Sequence, residues 1–150
     1  MSVESDVTIR PLRASDREAW EALFRGYINF YEAKVPDEVI ELTWKRLIGE
    51  EEGFWGAVAV DASDRPIGLA HVLFHPSTWS PTNYCYLEDL FVDRAARRSG
   101  VGRAMIKAVY EEADRRGATR TYWTTKHDNS QARRVYDRVG TLSPFVQYRR

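Results

Sequence analysis

The stretch from Glu88 to Met105, E-D-L-F-V-D-R-A-A-R-R-S-G-V-G-R-A-M, constrains this chain more than any other. An apolar, strand-like run from Tyr84 to Val92 carries two adjacent acids, Glu88 and Asp89, at its centre. A short basic loop follows, then Gly100-Val101-Gly102, then apolar residues at helical spacing. Strand, glycine-containing loop and helix in that order build an anion site. The first turn of a helix leaves backbone N–H groups without intrahelical partners, and its dipole end is positive. Glycine lets that backbone approach a ligand with no side chain in the way. Arg97, Arg98 and Arg103 add formal charge beside the same amides. The expected ligand is a phosphorylated cofactor, most simply a diphosphate.

The rest of the chain supplies strands and helices in an α/β order. Val7 to Leu12 reads as a first strand. Ser15-Asp-Arg-Glu18 is a capping-box pattern that opens a helix with Trp20, Leu23, Phe24, Tyr27, Ile28 and Tyr31 at helical spacing. Pro36 starts a second helix through Ile48, ended near Gly49. The connection between them is rich in aromatics and acids and could wall an amine pocket, with Tyr31 and Glu32 as candidate contacts. By spacing alone, Tyr27 and Tyr31 read first as core face. Phe54 to Asp61 and Ile67 to His75 form a hairpin across a turn-rich link. Residues 76–83, with two prolines and Trp79, form a loop. The strand 84–92 follows, then a helix from Gly100 to Arg116 closed by Gly117. Thr119 to Thr125 is β-rich, Asn129 to Val139 is a short helix closed by Gly140, and Pro144 to Tyr148 is a last strand. This is a single α/β (α+β) domain over 1–150, with a mixed, mostly antiparallel sheet flanked by helices.

Composition narrows the class. With 150 residues, 43% hydrophobic and 29% charged, the chain is expected to be soluble and globular. No run approaches the ~18 apolar residues that a membrane helix needs. The acidic opening Met1-Ser-Val-Glu-Ser-Asp is not read as a signal peptide, and the lone Cys85 suits a reducing, cytoplasmic setting. Net charge is zero, but the segment from Arg94 onward holds 14 of the 22 Lys and Arg and only 5 of the 22 Asp and Glu. That split suits a basic part facing phosphates and an acidic part facing a cation, although surface charges can also mix on folding.

The dinucleotide fingerprint G-x-G-x-x-G/A is nearly present, but Met105 stands where a small residue must pack, and no acid ends a strand ~20 residues later. No G-K-[ST] follows the glycines, so a P-loop is excluded. The pattern that does match is R-x-x-G-x-G, Arg97 to Gly102, on a strand–loop–helix. It resembles the acetyl-coenzyme A signature of the GNAT superfamily of N-acetyltransferases. A second segment, Trp123 to Gly140, carries N-x-x-A-x-x-x-Y-x-x-x-G as Asn129, Ala132, Tyr136 and Gly140. GNAT enzymes carry this after their fifth strand, and two motifs in order are far more specific than one. Within the superfamily, Tyr86 to Val92 (Y-L-E-D-L-F-V) looks like the diamine and histone/polyamine branch, and the ending S-P-F-V-Q-Y-R-R is similar to the histone/polyamine type. Arg94 and Arg98 depart from a common proline and glycine; neither removes a backbone N–H.

The resemblance implies roles. The backbone around Leu90, Phe91 and Val92 would hold the pantetheine arm of acetyl-CoA. The amides and side chains of Arg97, Arg98, Ser99, Gly100, Val101, Gly102 and Arg103 would hold the pyrophosphate. Asn129 and Arg133 would contact the cofactor, Asn129 near the thiol end. The Leu90 amide could stabilise the developing oxyanion. Tyr136, which by periodicity alone is a core tyrosine, would protonate the leaving thiolate. Glu88 is the candidate base, since a carboxylate in an apolar strand should have a raised pKa. Asp89 should point to the opposite face unless a bulge intervenes, and is a candidate substrate contact with Tyr31, Glu32 and His75. Both acids could instead serve local backbone or arginine groups.

Other chemistries are weaker. His71 and His75 share a strand face but have no third ligand, so no metal is expected. Cys85 lacks the paired histidine or helix terminus of a nucleophile. The basic C-terminal part lacks a nucleic-acid motif. The expected reaction is acetyl transfer from acetyl-CoA to a primary amine of a small cationic molecule, an amino acid or a lysine side chain, with a homodimer as the assembly. The alternative is a non-catalytic acyl-CoA sensor.

Overall fold

The computed structural model describes residues 6–150, with the side chains of Arg98 and Ser99 outside the description. In chain order the elements are β1 (Thr8–Pro11), α1 (Arg17–Phe30), α2 (Asp37–Ile48), β2 (Phe54–Val60), β3 (Pro66–Pro76), β4 (Asn83–Val92), α3 (Val101–Arg115), β5 (Thr121–Tyr122) and α4 (Ser130–Val139). Short 3-10 turns over Ala14–Asp16 and Arg94–Ser99 precede α1 and α3. The helical spacing read in the sequence decides which faces are buried. Trp20, Phe24 and Ile28 of α1 and Ile40, Trp44 and Leu47 of α2 cluster with Leu69 on one side of the sheet. Val101, Met105, Ile106, Val109 and Ala113 of α3 cover the other side, against Val72, Phe74, Cys85, Leu87 and Val92. Each such apolar side chain contributes ~1.5–3 kcal/mol when withdrawn from water.

The five strands lie in sequence order. All neighbours are antiparallel except β4 and β5, which are parallel and joined through α3. A parallel pair needs such a crossover, because no tight turn can return the chain in the same direction. The fold class is the expected α/β arrangement with a mostly antiparallel sheet.

Four local departures matter. Ser15 and Glu18 do not form the expected capping box. Instead the Asp16 carboxylate accepts from the Arg13 backbone N–H at 2.8 Å and from the two terminal Arg10 guanidinium nitrogens at 2.8 and 2.9 Å. Charge-assisted bonds of this kind outcompete a serine hydroxyl. The β-rich run 119–125 forms a strand only at Thr121–Tyr122, paired with Cys85 and Tyr86. Past that point β4 has a free edge on this side. The predicted last strand, Pro144–Tyr148, does not form. The two-residue β5 gives it no ladder to extend within one chain, and Phe145, Val146 and Tyr148 are exposed. Finally, β3 and β4 shift register: His71 faces Asp89 but Val72 faces Leu87. Glu88 is therefore the extra residue of a β-bulge, which bends the strand and re-aims its side chains. Met105 packs over Gly68, where an added Cβ would meet its sulfur and the Phe91 carbonyl, both at 3.1 Å.

Candidate active site

The free edge of β4, the first turn of α3, the end of α1 and one face of α4 enclose a cavity of about 460 Å³. Leu90, Phe91 and Val92 form its β4 wall; Arg97, Gly100, Gly102 and Arg103 its floor; Asn129, Ala132 and Tyr136 its α4 wall; and Tyr27, Phe30 and Tyr31 its α1 wall. Ten residues singled out in the sequence thus meet here: Tyr31, Leu90, Phe91, Val92, Arg97, Gly100, Gly102, Arg103, Asn129 and Tyr136.

The floor is built for negative charge. Gly100 takes a left-handed φ of 74° and caps α3, which frees the amides of the first turn to point outward. Arg97 donates from Nε to the Val92 carbonyl at 2.9 Å. Its guanidinium lies 5.3 and 5.4 Å from the ring centroids of Phe30 and Phe91. One of its five donors is spent on Val92 and the two rings flank the guanidinium, leaving charge held at the wall.

The α4 wall is positioned by its caps. Asn129 accepts from the Ala132 N–H at 3.4 Å and donates to the Thr125 hydroxyl at 3.1 Å, so it serves as the helix N-cap. Tyr110 ties the far end by donating to the Val139 carbonyl at 2.6 Å. Gly140 lets Trp123 approach, since a Cβ there would lie 3.0 Å from the indole. The Trp123 ring in turn meets Tyr136 edge-on at 5.5 Å. Burial pushes the Tyr136 phenol up to about 12, with a smaller push from Tyr31. The hydroxyl is therefore protonated at neutral pH and can donate.

Glu88 and Asp89 stand on β4 just before the cavity wall and are not among its lining residues. Asp89 Oδ2 lies 2.8 Å from His71 Nδ1, and the Trp20 indole N–H donates to His71 Nε2 at 2.9 Å. The Glu88 carboxyl is raised above its usual range, first by desolvation and then by the charge of Asp89. Its side chain is exposed, so solvent limits that rise. The Tyr27 phenol is also raised, by burial and then by Asp89.

Several expected residues stand elsewhere. The Val101 side chain is buried in the α3 core face, so only its backbone is near the cavity. Arg133 donates to the His127 carbonyl at 2.7 Å and does not line the cavity. Glu32, at a φ of 53°, is exposed past the end of α1. His75 bonds the Tyr122 hydroxyl at 2.6 Å and the Pro76 carbonyl at 2.9 Å, away from the cavity. Tyr27 and Phe30, among the aromatics read in the sequence as a possible pocket wall, do line the cavity, whereas Ile106, Gln131, Val135 and Arg138 were missed. The i, i+3, i+4 set of Tyr27, Phe30 and Tyr31, offset from the Trp20–Phe24–Ile28 stripe, was a readable signal. Among the described residues, no group of three or more His, Cys, Asp or Glu could hold a metal, and no helix is long and apolar enough to cross a membrane.

Comparison with known proteins follows this geometry. Residues 18–141 match the family described as Acetyltransferase (GNAT) family. The chain is 36% identical over 149 residues to the D-amino-acid N-acetyltransferase HPA3 of Saccharomyces cerevisiae, covering 99% of this chain and 92% of the relative. It superposes with a TM-score of 0.83 on the crystal structure of a probable acetyltransferase, at 24% identity and 95% coverage of each chain. It also superposes with a TM-score of 0.80 on AAC(6')-Iy in complex with a bisubstrate analog, at 19% identity, covering 96% of this chain and 97% of the other. With the family pattern over most of its length and the fold that goes with it, this chain is an acetyltransferase of the GNAT family.

Proposed function

We propose that the chain transfers the acetyl group of acetyl-CoA to a primary amine of a small cationic molecule, an amino acid or a lysine side chain, by direct attack in a ternary complex. The observation that carries this reading is one cleft joining a free strand edge, an arginine-lined helix N-terminus and a protonated Tyr136, with the paired acids of the bulge on the same strand just before its wall. The residues present fit the cofactor. The β4 edge offers backbone groups to an amide-bearing arm, and Arg97, Arg103 and the first amides of α3 offer charge to its phosphates.

Acetyl-CoA would supply the thioester carbonyl, and the β4 edge at Leu90 to Val92 would hold its arm. The Leu90 N–H would donate to the carbonyl oxygen as negative charge develops. Glu88 would take the ammonium proton, directly or through a water, and Asp89 would hold the arriving cation. Tyr136 would give its proton to the departing thiolate. Positioning supplies much of the acceleration, so no covalent enzyme intermediate is required. Cys85 suits that view: it is buried in the α3 core face, and burial pushes its thiol up to about 11. A lone, buried thiol also supports a cytoplasmic setting.

The test is free-thiol release from acetyl-CoA against spermidine, L- and D-amino acids, a lysine peptide and an aminoglycoside. The yeast relative makes D-amino acids the first acceptors to try. Release with one class identifies the reaction and the acceptor together. No release with any amine, while acetyl-CoA still raises Tm, would replace the proposal with acyl-CoA sensing without turnover. The proposal includes a homodimer, supported by the short β5 and the exposed Leu142, Phe145, Val146 and Tyr148 beyond it. A monomer mass in solution would remove that part.

A further inference from the structure

Trp20 and His71 are buried polar side chains to which the reaction above gives no task; they are 0% and 3% exposed. They form a chain that starts on α1, crosses β3 and ends on β4 at the bulge. The indole N–H can only donate, so His71 Nε2 must accept it. The imidazole proton is then on Nδ1 and is donated to Asp89 Oδ2. One tautomer satisfies both contacts. Phe24 meets the imidazole edge-on at 4.9 Å and the Trp20 ring lies at 5.8 Å, so the ring is walled in.

Asp89 is where this chain comes nearest the cleft, beside Tyr27 of the α1 wall. Its side chain keeps 18% of its surface, against 4% for His71. The groups around it are Glu88 on its own strand and the Tyr27 and Tyr86 phenols, both of which feel its charge. Among the described residues, no Lys or Arg comes within ion-pair distance of Asp89 or Glu88. Two neighbouring carboxylates at an opening, one gripped from behind and neither matched by a protein cation, suit a cationic ligand.

We infer that Trp20 and His71 are positioning residues: they fix the Asp89 carboxylate as the anchor for the acceptor's ammonium group. The inference rests on the amine-acetylating reading above. It divides labour between the acids, with Asp89 held still by a buried donor and Glu88 left free to move a proton. It also defines the acceptor as an amine that arrives charged.

The test pairs two substitutions with one spectroscopic reading on the full chain. His71→Asn keeps an amide N–H near the place of Nδ1 and loses the acceptor for Trp20. His71→Gln keeps an acceptor near the place of Nε2 and loses the donor to Asp89. With D-lysine and spermidine as probes, His71→Gln should raise the amine KM about tenfold and leave kcat and the acetyl-CoA KM within about twofold. The rise should vanish in an Asp89→Asn background. His71→Asn should keep the amine KM near that of the parent while lowering Tm. Equal amine KM values for the two variants, or a rise that persists in Asp89→Asn, would make the chain a structural network and overturn the inference. Nitrogen-15 spectra of the parent imidazole should show a protonated Nδ1 and a bare Nε2. The opposite tautomer overturns the inference even if neither variant folds. No transfer by the parent to any amine removes the reaction itself. That outcome is distinct from the case in which the parent turns over and the two variants behave alike.

Discussion

Replacing Tyr136 by phenylalanine separates chemistry from packing at this site. The ring stays edge-on to Trp123 at 5.5 Å, and no protein hydrogen bond to its hydroxyl is found among the described residues. Tyr136→Phe should therefore leave Tm and the acetyl-CoA KM close to those of the parent. What it removes, on the proposed mechanism, is the proton donor to the leaving thiolate. General-acid catalysis of this kind contributes on the order of 10²–10⁴-fold, and the lower end is expected because water can also protonate a thiolate. A 10²-fold fall in kcat corresponds to about 2.7 kcal/mol of transition-state stabilisation. The raised phenol pKa, about 12, adds a second signature. The group is protonated below that value, so the parent should show no alkaline limb from Tyr136 between pH 6 and about 10, and the loss in the variant should be uniform across that range. The assay is steady-state thiol release with the preferred amine, repeated across pH and paired with a melting curve. A kcat within about threefold of the parent would refute the proton-donor assignment. A loss confined to the acetyl-CoA KM would recast Tyr136 as a binding residue.

Three further outcomes follow from the same geometry. Glu88→Gln should lower kcat/KM for the amine about 10²-fold at pH 7 and abolish the acid limb that the raised Glu88 carboxyl contributes; an unchanged limb assigns the base elsewhere. Asp16 is held below its ordinary 3.8, first by its hydrogen bond to Arg10, so it stabilises the fold above pH 4 and loses that contribution as pH falls through its lowered value. Asp16→Asn should cost about 2 kcal/mol at pH 7 and progressively less as the pH is lowered below 4, read by urea unfolding across that range; a cost that does not change with pH would refute the ion-pair account. Gly68→Ala should cost about 1–3 kcal/mol, because the Met105 thioether can shift but the Phe91 carbonyl cannot, and should raise the acetyl-CoA KM by displacing β4; an unchanged melting curve would refute the close-packing account.

What was legible in the sequence was local. The alternation and helical spacing of Trp20, Phe24 and Ile28, the Pro36 start, the Gly100 and Gly117 turns, and the two motifs around Arg97–Gly102 and Asn129–Gly140 fix elements by neighbouring residues alone. These place the cofactor side of the cavity. The β-rich run 119–125 shows the limit. Its residues favour a strand, but a strand needs a partner, and pairing with β4 ends at Tyr86 and Tyr122, just before the bulge at Glu88. Pro144 to Tyr148 fails for the same reason, since propensity cannot supply an edge. At the start of α1, the local Ser15 signal lost to Arg10, whose reach to Asp16 depends on the position of β1.

The acceptor side was less legible because it rests on a register that no single strand encodes. Strict alternation along β4 puts Glu88 and Asp89 on opposite faces, which would leave only one acid for the cleft. The bulge changes that, and its position follows from what β4 lies against. His71 opposite Asp89 is held by Trp20, and Trp20 is fixed by the packing of α1 with Trp44 and Phe24. Removing Glu88 would restore regular pairing, because Val72↔Leu87 and His71↔Asp89 already flank it in register. Leu90 and Phe91 would keep their faces and Asp89 its partner His71, so the change would take out one acid and the local bend alone. The bulge thus adds Glu88 beside Asp89 without disturbing the strand that carries Leu90, Phe91 and Val92 into the cavity wall, so deleting Glu88 would test the proposed base apart from the cofactor edge.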